Sequence, residues 1–107
     1  MSLISTPTIN DGSAKDANDV TQILTERGHR YGKFVEQAEI SQDLKSVIDI
    51  HLNRRLKSMS PDQHEALEMI CHKIARIING DENYLDHWID ISGYAKLVAD
   101  RLQGIER

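Results

Sequence analysis

The chain has 107 residues, with 13 Lys and Arg against 17 Asp and Glu and a formal charge of −4. That length holds one domain with one modest core, and 39% hydrophobic with 28% charged residues excludes disorder of the whole chain. The acidic balance argues against nucleic-acid binding, which draws on a basic patch, and no apolar run approaches the roughly 18 to 20 residues of a membrane span.

No basic segment followed by an apolar stretch marks a secretory signal, so a cytoplasmic protein is expected. Residues 1–17 are rich in Ser, Thr, Asn, Asp and Gly without a periodic apolar face, and read as a flexible leader to a helical domain over 18–107. Asn18 or Asp19 is expected to cap a short first helix of about ten residues carrying Val20, Ile23 and Leu24, with Gly28 closing it. The segment Arg27-Gly28-His29-Arg30-Tyr31-Gly32-Lys33-Phe34 then reads as an ordered, basic loop. It has two readings: a turn presenting N–H groups and cations to phosphate, or a helix stop with Tyr31 packed inward.

Phe34, Ala38, Ser41, Leu44, Val47, Ile48 and Leu52 recur every three or four residues, predicting a long second helix that ends between Asn53 and Ser58. Ser60-Pro61-Asp62-Gln63 is a helix start: a serine cap, proline at the first position, an acid in the first turn and glutamine where a capping box places it. That third helix should stop at Asn79-Gly80 in a left-handed turn. Asn83 is expected to cap a fourth helix whose buried face is Trp88, Ile91, Tyr94, Ala95, Val98 and Leu102. Cys71, the single cysteine, lies in an apolar helical stretch, which leaves neither a disulfide framework nor a thiolate cluster.

No segment alternates apolar and polar residues as a strand would. The fold class is therefore all-α, a small antiparallel four-helix bundle joined by short loops. With so small a core and wide apolar arcs on the second and fourth helices, a homo-oligomer, most simply a dimer, is expected.

On the third helix Glu65, Glu68, His72, Arg76 and Asn79 are spaced 3, 4, 4 and 3 and share one stripe. On the fourth, Asp86 and Asp90 lie one turn apart, with Gly93 beyond them. If the short connection makes these helices an antiparallel pair, four carboxylates could converge on Mg²⁺ or Mn²⁺, with Lys73 and Arg76 placed to contact phosphates. The competing reading is a solvated face, with Glu65 and Asp86 serving the helix dipole and Tyr94 and Trp88 packing in the core.

Three segments, Glu26 to Phe34, Glu65 to Gly80 and Trp88 to Leu97, together resemble a family of small phage and prophage proteins of unknown function. More distantly the chain is similar to the all-α nucleoside triphosphate pyrophosphohydrolases of the MazG type, whose helices carry E-x-x-E and E-x-x-D. Glu65-x-x-Glu68 matches the first motif. The second departs, because His87 stands three residues before Asp90 and the nearest acid, Asp86, is four before it. The resemblance implies a MazG-like bundle in a host cytoplasm, with Glu65, Glu68 and Asp90 holding Mg²⁺ and Asp86 as a substitute ligand. It further implies hydrolysis to pyrophosphate and a nucleoside monophosphate, with Glu65 and Glu68 as the catalytic acids. Arg30, Tyr31, His72, Lys73 and Arg76 are the expected contacts to a nucleotide or other phosphorylated small molecule. The alternative is a non-catalytic helical protein that sequesters a nucleotide or inhibits a host defence or replication factor.

Overall fold

The computed structural model describes the backbone over residues 11–107 and side chains from residue 19. Its helices are α1 (Asp11–Tyr31), α2 (Phe34–Arg54), α3 (Pro61–Asn79) and α4 (Leu85–Leu102), and no strand occurs among the described residues. The protein is an all-α four-helix bundle. No described helix is long and apolar enough to cross a membrane.

The start of α3 follows from local chemistry. Pro61 lacks an N–H that would have no partner in a first turn, and the Ser60 N–H donates to Gln63 Oε1 at 3.1 Å, one half of the capping box. The Ser60 hydroxyl has a further role. It donates to Asp62 Oδ1 at 2.6 Å and accepts from Arg101 Nη2 at 2.8 Å. Arg101 also grips both Asp62 oxygens, at 2.7 and 2.8 Å, so the first turn of α3 is fastened to the last turn of α4. The Arg101 bond, with that of Ser60, lowers the Asp62 carboxyl to about 2.

A second tie, Lys73 Nζ to Asp90 Oδ2 at 2.8 Å, lies eleven residues along each helix from the first and fixes the same antiparallel register. Helix α2 is antiparallel to α3 as well. His64 approaches Asp49 at 3.4 Å near one end, Gln37 Nε2 meets His72 Nδ1 at 3.4 Å, and Asn79 Nδ2 donates to the Lys33 carbonyl at 3.0 Å at the other. Helix α3 is thus the centre, with α2 and α4 on either side making no contact with each other. Helix α1 brings its backbone against α2 and α3, and its last residue, Tyr31, reaches α4 at His87.

Several boundaries and faces differ from expectation. Helix α1 starts at Asp11, inside the segment read as a leader, whose residues 1–10 lie outside the described part. It also runs through Gly28, which keeps helical bonding by accepting from the Gly32 N–H at 2.9 Å; Gly32, at φ 77°, is the stop. Gly80 ends α3 with φ −128°, so it takes no left-handed turn. Its missing side chain matters instead for close approach. Asn83 is not the cap of α4: Tyr84 holds that position, and the Asn83 N–H is bonded to Asp81 Oδ1 at 2.9 Å.

Burial corrects the core more sharply. Among the described residues the buried apolar ones are Ala66, Cys71 and Ala75, all on α3 and all small, beside buried Gln37, Ser41, Lys73, His87 and Asp100. Phe34, Val47, Trp88 and Leu102, each expected to face inward, are more than half exposed. Periodicity identified their stripe, but two helices flanking a third cannot cover the wide apolar arcs that a closed bundle would.

Candidate functional site

The site forms where the α1–α2 turn docks on the α3–α4 connection. Asn79 Nδ2 donates to the Tyr31 carbonyl at 2.9 Å as well as to that of Lys33, and the Asp81 N–H donates to the Arg30 carbonyl at 2.6 Å. The two glycines make this approach possible. A methyl group at Gly80 would fall on the backbone of Arg30 and Tyr31, and one at Gly32 would fall on Asn79. Residues distant in sequence are thereby locked together at the C-terminal end of α3.

Above this clamp lies a cluster of rings and cations. His87, 1% exposed, has the Tyr31 and Tyr84 rings each with a centroid 4.9 Å from its own. The Arg76 guanidinium stacks 4.1 Å from the Tyr31 centroid, and Arg30 lies 5.2 Å from that of Tyr84. The Tyr84 hydroxyl donates to Asp86 Oδ2 at 3.1 Å, which raises the phenol's pKa, and Lys73 holds Asp90 below the usual carboxylate range.

The interior of this cluster disfavours positive charge. His72 is lowered to about 4, first by burial and then by the cationic or protonatable neighbours Arg76, Lys73, Lys45 and His87. His87 is lowered too, by burial and then by Arg76 and Lys73, against opposing contributions from the Arg30 backbone and Asp90. Two buried donors or acceptors here have no partner: Arg76 Nε and His87 Nε2. A cluster of cations, π-faces and unsatisfied nitrogen atoms suits an anion with an apolar or aromatic portion.

Of the residues singled out in the sequence, Arg30, Tyr31, His72, Lys73 and Arg76 are brought together. The carboxylates are not. Asp86 and Asp90 border the cluster, but Glu65 lines a separate groove with Asp62, Tyr94, Leu97 and Arg101. The cause is helix register. The Asp62–Arg101 and Lys73–Asp90 pairs set Glu68 across from Ala95 and Glu65 across from Val98, about 7 and 12 Å along α4 from Asp90. Among the described residues no group of three or more His, Cys, Asp or Glu side chains is arranged to hold a metal ion. Glu65, Glu68, Asp86 and Asp90 are therefore not gathered into one group of ligands among the described residues.

Sequence reasoning missed His87, Tyr84 and Gln37 as members of the site. Tyr84 and His87 are three residues apart, a helical pairing that was legible, but nothing in one sequence marks that pair as the surface on which Tyr31 lands. Comparison of the chain with protein-family models, with curated proteins and with solved structures gives no match.

Proposed function

We propose that the protein binds a nucleotide or a closely related phosphorylated small molecule at the Arg30–Tyr31–Lys73–Arg76–His87 cluster. The observation that carries this reading is the pair of buried, unpartnered nitrogens, Arg76 Nε and His87 Nε2, in a cluster where burial and then the neighbouring cations disfavour protonation of both histidines. An unsatisfied buried polar atom carries a desolvation cost of roughly 1–3 kcal/mol, which a bound phosphate oxygen would relieve at Arg76. Tyr31 and Tyr84 offer faces on which a base can stack, and Arg76 is placed for charge-assisted bonding. Sequestration of such a ligand requires nothing that the single chain lacks.

Calorimetric titration with nucleoside mono-, di- and triphosphates tests this. Saturable binding is expected for at least one of them, weakened at least tenfold by Arg76→Gln. The same mixtures, assayed for pyrophosphate with and without Mg²⁺, separate binding from the MazG-type hydrolysis. Release of pyrophosphate only with the metal would establish hydrolysis. No binding across the panel would refute the assignment.

A further inference from the structure

Fifteen large hydrophobic side chains are exposed among the described residues, whereas the buried apolar set is two alanines and a cysteine. Two rows on one side of the molecule concentrate this imbalance. Along α3, Leu67, Ile70, Ile74 and Ile78 are spaced 3, 4 and 4 and form a ridge, with Leu67 37% and Ile78 64% exposed. Beside it on α4 run Ser92, Ala95 and Ala99, spaced 3 and 4 and all exposed, between Trp88 and Leu102. The rows adjoin, because Leu67, Ile70, Ala95 and Val98 line one apolar groove of about 380 Å³, with Lys57 among its other walls.

A ridge of large residues beside a furrow of small ones is complementary to itself. Turned by a two-fold rotation, a second copy lays its ridge in this furrow and receives this ridge in its own, so one contact is made twice. No charge lies in either row to oppose like charge across the axis. The open side between α2 and α4, which do not touch, leaves the ridge accessible. With the flanking Trp88 and Leu102, 53% and 61% exposed, the face exposes on the order of 600 Å², at the lower end of what each partner of a standard stable interface contributes.

We infer that this α3–α4 face is the interface of a two-fold symmetric homodimer of the chain. It is distinct from the polar stripe that carries Glu65, His72 and Arg76, so ligand binding and assembly use different sides of α3.

Sedimentation of the full chain at micromolar concentration should give a species of about 24 kDa, twice the 12.2 kDa chain. Ala95→Glu, at an exposed helical position, places a carboxylate in both furrows and should weaken association at least 100-fold. Val35→Glu, on an exposed part of α2, should leave it unchanged. A second measurement needs no variant: in a dimer mixed from differently labelled copies, methyl groups of Ile70 or Ile74 should show intermolecular NOEs to the Ala95 methyl. A 12.2 kDa species at tens of micromolar, a folded Ala95→Glu protein that still dimerises normally, or a dimer lacking those NOEs would each overturn the inference.

Discussion

Replacing Gly80 by alanine tests how the site is held together, because the structure gives the opposite outcome for the same change at Gly93. At Gly80 the added methyl meets the backbone of Arg30 and Tyr31, atoms fixed by the Asp81 N–H and by the Asn79 amide. Neither backbone can move without parting the α1–α2 turn from α3. Overpacking of this kind costs about 1–3 kcal/mol. At Gly93, inside α4, nothing lies within 4 Å of the new methyl, so the helix gains the propensity difference of about 0.5–1 kcal/mol. Urea denaturation of Gly80→Ala and Gly93→Ala, followed at equal protein concentration because association stabilises the folded state, should give midpoints shifted to opposite sides of the parent. Trp88 is a convenient reporter, being the one tryptophan and donating its indole N–H to the Glu82 carbonyl at 2.9 Å in the α3–α4 connection. A Gly80→Ala midpoint equal to or above that of the parent would refute the docking geometry on which the site rests.

Gly32→Ala should lose about 1–3 kcal/mol by the same assay, since φ 77° disfavours any residue with a Cβ and Asn79 occupies the space; a loss below 0.5 kcal/mol would contradict this. Asp62, lowered to about 2 from an ordinary 3.8, binds protons more readily in the unfolded chain, so its contribution is present above about pH 4 and lost as pH falls toward 2. Acid titration monitored by circular dichroism should show Arg101→Met with a weaker loss across that window than the parent, and parallel curves would argue against the ion pair. His72, lowered to about 4, should remain neutral at pH 5 in an NMR titration of its ring while an unfolded histidine is charged, so stability falls from pH 6.5 toward 4. A ring midpoint near 6.5 would show that the ring is not buried beside those cations as the structure has it.

The sequence revealed helices where local chemistry decides them. Pro61 and Gln63 mark the start of α3 because a first turn has N–H groups in need of partners, whereas at the end of α1 the expected stop, Gly28, was the wrong glycine, since Gly32 is the one that takes the left-handed backbone. It was also sufficient to gather Arg30, Tyr31, His72, Lys73 and Arg76 as one set, since three of them share a helix and the other two precede a turn. The carboxylates were misjudged for a reason outside local pattern. Spacing puts Glu65 and Glu68 on a stripe, but the axial position of α4 against α3 is set by Asp62–Arg101 and Lys73–Asp90, and a shift of about 7 Å decides whether Asp90 meets Glu68 or Lys73. His87 was invisible for a related reason: its burial comes from Tyr31 and Tyr84, which reach it only after Asn79 and Gly80 have fixed the turn. Trp88 and Phe34 looked like core residues because apolar periodicity reports a face that is to be covered, without saying whether the same chain covers it.

The Arg76 Nε–H, buried without a partner, should receive a phosphate oxygen of the bound ligand, with the neutral His87 ring beside it. Proton–nitrogen correlation spectra of the side chains, recorded while ADP is titrated into the protein, observe the Arg76 Nε–H and the His87 ring directly. Saturable shifts of both, at ligand concentrations that also saturate the calorimetric signal and absent in Arg76→Gln, are the predicted result. Nucleotide binding that leaves both nitrogens unshifted would place the ligand elsewhere and contradict the account.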